Sequence, residues 1–133
     1  MKNQPEYQLQ KQIATYLKTQ YPKVLFLSDT VASVKLTAPQ QARNKAIQCQ
    51  KFKCPDLIIF QPNDYYSGLF IELKAESPYL KNGITLKSDS HIQEQYNTLL
   101  ELLGKGYYAT FAWTFEQAKN IIDGYINHFE QLK

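Results

Sequence analysis

The sequence predicts an α/β fold in which a mixed sheet is flanked by helices, and three observations carry that prediction. Two continuous apolar runs rich in branched residues, "DLIIF" from Asp56 and "LFIEL" from Leu69, are separated by "QPNDYYSG", whose Pro, Asn, Asp and Gly are turn formers. Segments of helical periodicity stand at both ends of the chain and between its later strands. The chain has 133 residues, 44% of them hydrophobic. That is enough for one core and too little for two comfortable ones, so one domain over residues 1–133 is expected.

Taken in order, "PEYQLQKQIATYLKTQYP" sets Leu9, Ile13, Tyr16 and Leu17 on one helical face between a starting Pro5 and a stopping Pro22. "KVLFLS" reads as a short strand. "DTVASVKLTAPQQARNKAIQCQKFK" is polar, basic and mixed in period, and its Gln40–Gln50 portion reads either as a short helix or as part of a solvated excursion. "DLIIF" and "LFIEL" then form a hairpin of two central strands. "SPYLKNGITLKSDS" is a polar loop, and "HIQEQYNTLLELLGKG" is a helix capped by Ser90 or Asp89 and stopped at Gly104 or Gly106. "YYATFAW" supplies a further strand and "TFEQAKNIIDGYINHFEQL" a last helix.

Composition excludes several classes. No apolar run is long enough for a membrane span and no charged-then-apolar leader is present, so a soluble cytoplasmic protein is expected. Cys49 and Cys54 are not at a zinc-ligand spacing and read as reduced thiols with a core role. The net charge of +3 permits an anionic partner without requiring one.

The informative residues are the charges inside the apolar strands. Side chains alternate along a strand, so Glu72 and Lys74 share one face while Ile71 and Leu73 share the other. A hairpin centred on residue 64 would set Asp56 beside Glu72, within one residue of register. Two carboxylates so close repel unless a cation lies between them, and hard oxygen ligands suit Mg²⁺, with the Leu73 carbonyl as a third donor. Such an ion polarises a phosphate oxygen and lowers the pKa of a bound water, with Lys74 orienting that water or neutralising the developing charge. A second reading of the same residues is a strand start at Asp56 and a surface Glu72–Lys74 pair on an edge strand. Two helices add candidates: Glu6 in the first turn of the first helix's apolar face, and Gln95 within the apolar stripe of the second long helix. A favourable acid at a helix N-terminus and a stripe-edge amide are their structural alternatives.

In order and spacing, "CPD", then "GLFIELKAE", then "HIQEQ" opening a helix that ends "LLGKGYYATFAW" resembles the PD-(D/E)XK nuclease superfamily, and within it the small stand-alone phage-type VRR-NUC domain. The resemblance runs from Glu6 to about Tyr125, with Cys54 where that family often has glycine. It implies a restriction-endonuclease-like αβββαβ core. It also implies metal-binding acids at Asp56 and Glu72, with Lys74, Glu6 and Gln95 completing the catalytic set. The implied activity is that of a Mg²⁺-dependent DNA endonuclease, Mn²⁺ substituting. Branched, flapped or four-way-junction DNA is the implied substrate, and a homodimer and the host cytoplasm of a phage-encoded protein go with it. Lys35, Arg43, Lys45, Lys51 and Lys53 of the basic excursion would then border the site and contact phosphates. The other class left open is a nucleic-acid-binding module that keeps the fold without the catalysis.

Overall fold

A computed structural model describes residues 4–29 and 35–127. The sheet is built from β1 (Phe26–Ser28), β2 (Leu57–Ile59), β3 (Leu69–Leu73) and β4 (Tyr108–Ala112), and the helices are α1 (Gln4–Gln20), α2 (Ala38–Ile47), α3 (Ser90–Gly104) and α4 (Phe115–Ile126). The strands lie in the order β1-β2-β3-β4. The first two pairings are antiparallel and β3 pairs with β4 in parallel. The αβββαβ order expected from the sequence holds, with α2 inserted between the first two strands. The parallel pair is possible because α3 carries the chain back across the sheet, as a crossover must.

The period-2 pattern of the strands sorts residues onto two faces. Leu57, Ile59, Leu69, Ile71 and Leu73 pack in one buried cluster with Leu9, Ile13 and Leu17 of α1 and with Ala118, Ile122 and Tyr125 of α4. Ala109 and Phe111, with Phe70 beside them, meet Leu99 and Leu102 of α3 in a second cluster. The continuous apolar runs are thus explained: helices cover both faces of the central strands.

Local chemistry fixes the ends. Asp89 is the N-cap of α3, and Gly106, at φ +97, takes the left-handed turn after it, while Gly104 is still helical. Thr37 and Gln40 form a capping box at the start of α2, yet that helix buries no residue. The Gln40–Gln50 alternatives are therefore both met, since the segment is helical and solvated. Cys49 is exposed, which corrects its expected core role: it follows a helix with no buried face. Residues 30–34 of the excursion lie outside the described residues. So does the expected continuation of the last helix beyond Asn127, its C-cap. No described helix is long and apolar enough to cross a membrane.

Tyr16, expected on the apolar stripe, stands at its margin and serves a polar clamp instead. Its hydroxyl and that of Tyr21 donate to Asp123 Oδ1 at 2.6 and 2.7 Å, and Lys119 pairs with Oδ2 at 3.3 Å. Burial pushes the Asp123 carboxyl up, but the two hydroxyls and Lys119 outweigh it and hold it below its ordinary range. Asp123→Ala removes a shared acceptor between α1 and α4. A loss on the order of 2 kcal/mol is expected in urea unfolding.

Candidate active site

The site grows out of the sheet register. Leu57 faces Ile71, Ile58 faces Phe70 and Ile59 faces Leu69. One further step sets Asp56 opposite Glu72, the register expected from a turn centred on residue 64. On the other side, Ser28 faces Leu57, and the Asp29 N–H donates to the Asp56 carbonyl at 2.7 Å, which carries that ladder one residue further. Asp29, Asp56 and Glu72 therefore form a row across three neighbouring strands. The ladder also continues past β3, where the Lys74 N–H donates to the Ala112 carbonyl at 2.9 Å. Alternation puts Lys74 on the face of Glu72, the face that α3 covers.

The first turn of α3 is brought to this end of the sheet. Asp89 Oδ1 accepts from the His91 and Ile92 N–H groups at 2.8 and 3.2 Å. One and a half turns on, Gln95 Nε2 donates to Glu72 Oε2 at 3.2 Å and lies 3.3 Å from His91 Nε2. The second contact is a hydrogen bond for the Nδ1–H tautomer of the His91 ring, whose Nε2 then accepts. Gln95 Oε1 is buried with no hydrogen-bond partner among the described residues. The Gln95 amide thus reaches from the edge of the α3 stripe to the Glu72 carboxyl.

A cleft of about 330 Å³ collects the set: Glu6, Asp56, Glu72, Lys74 and Gln95 all line it, with Leu73 and Lys53. Asp56 Oδ2 accepts from the Leu73 N–H at 2.8 Å, so the strand backbone itself orients this carboxylate. Three further residues line the cleft that the sequence reading does not assign to the site, namely Asp29, Cys54 and His91. His91 was within reach, since it precedes Gln95 by four on one helical face. Asp29 was not, because the pairing of β1 with β2 leaves no local signal.

Glu72 is only 8% exposed. Burial pushes its carboxyl up to about 9, and the Asp56 carboxyl beside it adds to the shift; Lys74 pulls the other way and is outweighed. The edge-strand alternative for Glu72 fails on this burial, and β3 is a central strand. Burial, followed by the charges of Asp29, Glu72 and Asp56, also raises the Cys54 thiol to about 11, which leaves it protonated and a poor nucleophile.

Of the basic residues, Lys45, Lys51 and Lys53 line a groove of about 1000 Å³ that shares Lys53, His91 and Gln95 with the cleft. Lys35 and Arg43 are exposed and line neither. Among the described residues no group of three or more His, Cys, Asp or Glu side chains is placed to hold a metal ion. The Asp56–Glu72 pair supplies two hard carboxylates, and Mg²⁺ commonly takes only one or two, with water and phosphate filling the rest. A buried acid held protonated against a second acid is also what a cation would relieve. The donor set fits that ion.

No family model and no curated protein matches the chain. Among solved structures it is similar to a "VRR_NUC domain protein", with 26% sequence identity over 70% of this chain and a TM-score of 0.49. The chain covers 65% of that protein's length.

Proposed function

We propose that the chain is a metal-dependent deoxyribonuclease of the VRR-NUC type within the PD-(D/E)XK superfamily. It hydrolyses phosphodiester bonds in DNA endonucleolytically and prefers branched, flapped or four-way-junction substrates. The observation that carries the reading is the meeting of buried Glu72 with half-buried Asp56, which share one cleft with Lys74, Gln95 and Glu6 beside a groove whose lining includes Lys45, Lys51 and Lys53 together with Glu94 and Glu101. A buried acid set against a second carboxyl costs stability, with nothing gained if its role is merely structural.

When bound, Mg²⁺ or Mn²⁺ would be held by Asp56, Glu72 and the Leu73 carbonyl, and would supply Lewis-acid polarisation and a water of lowered pKa. The chain's own groups do the positioning. Asp56 is fixed by the Leu73 N–H, and Glu72 by the Gln95 amide. Lys74 places an ammonium on the same face, where it stabilises charge developing on the phosphoryl oxygens. Gln95 Oε1 is buried and has no hydrogen-bond partner among the described residues, an unmet acceptor beside the cleft that a bound water would satisfy. Glu6 adds an acid from the α1 side of the cleft. A homodimer gives one site for each strand of a duplex.

The test is incubation of labelled duplex, flap, single-stranded and four-way-junction DNA with and without Mg²⁺. Cleavage of branched forms only with the ion is the expected result. Tight binding without cleavage under either Mg²⁺ or Mn²⁺ would replace this reading with that of a binding module. Sedimentation of the protein alone and with DNA checks the dimer.

Gln95→Leu separates positioning from packing. Apolar area is added to an apolar stripe, so stability is expected to hold or rise. Single-turnover cleavage is expected to fall by ~10²-fold, the order for one missing hydrogen-bonding group in a transition state. Full activity in this variant would remove Gln95 from the site and leave Asp56, Glu72 and Lys74 untouched.

Neutralising Arg43, Lys45 and Lys51 together is expected to weaken binding to every DNA form alike. The slope of log affinity against log salt should fall by about 0.9 for each phosphate that the protein no longer neutralises. An unchanged slope would mean that these side chains only meet solvent.

A further inference from the structure

We infer that Phe52 is a stacking platform for an unpaired DNA base next to the scissile phosphate, and so the residue that makes the site prefer splayed over fully paired DNA; this rests on the nuclease reading above. Phe52 is 40% exposed and belongs to neither buried cluster of the fold, so packing does not account for it. The backbone presents it by an unusual route. Lys51 has φ +60, the sole non-glycine positive φ among the described residues. A left-handed lysine costs steric energy, which the surrounding structure must offset.

Position and chemistry then agree. Phe52 lines the groove of about 1000 Å³ on one side and a second groove of about 430 Å³ on the other, where Leu27 and Ile58 give it an apolar neighbourhood. Its neighbour Lys53 lines both grooves and the catalytic cleft, so the three spaces meet at this residue pair. Asp56 follows four residues later along the chain. An aromatic ring between two ammonium groups is the pattern that holds single-stranded nucleic acid, since the charges follow the backbone and the ring takes a base face. Bases inside a duplex have both faces occupied by their neighbours. Only a base freed at a branch, flap or fork can use the ring.

The test uses the full chain without divalent ions, so that only binding is read. Fluorescein-labelled forked DNA and a blunt duplex of the same paired sequence are titrated with wild type, Phe52→Ala, Phe52→Leu and Phe52→Trp. The expected loss for Ala and Leu on forked DNA is about tenfold, within the range for one base–aromatic stack, with the duplex affinity unchanged and Trp equal to wild type. A second arm leaves the protein intact and moves a single abasic nucleotide along the unpaired strand. One position is expected to lower wild-type affinity by the same factor and to add nothing further in Phe52→Leu. This arm decides the matter even if Phe52→Ala fails to fold. Equal losses on forked and duplex DNA, or abasic and Phe52 effects that simply add, overturn the stacking assignment while leaving the nuclease reading in place. A wild-type protein that binds none of these DNAs overturns both.

Discussion

Asp56→Asn and Glu72→Gln are each expected to lower single-turnover cleavage by at least ~10³-fold while the protein stays folded. Both substitutions keep the shape of the side chain and remove its charge. Asn at position 56 retains an oxygen to accept the Leu73 N–H, now given at 2.8 Å, so the strand end keeps its hydrogen bond. Gln at position 72 retains an oxygen for the Gln95 amide. What each variant loses is the anionic ligand that a divalent ion requires. Calorimetry with Mg²⁺ should show binding weakened alongside the rate. Near-normal cleavage by either variant would sink the site assignment, whereas a large drop in thermal stability without metal would point back to a structural role for the pair.

Stability without divalent ions is expected to fall as pH rises from about 4.5 towards about 9. The cause is Glu72, whose carboxyl is pushed from 4.5 to about 9 by burial and by Asp56. Between those values the folded state holds a proton that the unfolded chain releases, so unfolding is increasingly favoured as pH rises through the window. Glu72→Gln, which cannot ionise, is expected to flatten this dependence and to be more stable than wild type near pH 8. Other shifted groups act outside the window. Asp123, held low, contributes stability present above 3.8 and lost on further acidification. Tyr16 and Tyr21, both raised by burial and by Asp123, are perturbed only above 10. On the proposed reading Mg²⁺ would displace the Glu72 proton, so a stabilising effect that grows with pH is expected. Thermal unfolding of wild type and Glu72→Gln at about pH 5, 7 and 9, with and without Mg²⁺, reads all of this. A flat wild-type profile would show that Glu72 ionises normally.

The two results are linked by one physical fact. A carboxylate pair that destabilises the protein by itself becomes favourable when something positive is bound, and the same burial that raises Glu72 strengthens any electrostatic contact made inside the cleft. Stability and activity should therefore trade against each other at positions 56 and 72.

The elements and the residues that share the candidate cleft are largely legible in the chain before any folding is considered. Apolar pattern locates the four strands and the three long helices, since the central strands and these helices bury faces whose spacing is local information. The hairpin turn centred on residue 64 is enough to bring Asp56 to Glu72, because a short antiparallel connection leaves little freedom of register. Glu6 and Gln95 can be placed on inward helical faces by counting from Leu9 and Leu99. Packing settles the rest. That Gln95 meets Glu72, and not Lys74, depends on how α3 seats on the sheet, which no spacing along the helix specifies. Asp29 enters the cleft through the pairing of β1 with β2, two strands separated by the excursion between Ser28 and Leu57. The meeting of three grooves at Phe52 and Lys53 depends on a left-handed turn at a lysine, a conformation its side chain disfavours and its sequence does not announce. Local pattern is written into neighbouring residues. Which surfaces converge is a property of the packed sheet, and there the contributions of distant segments can be read only together.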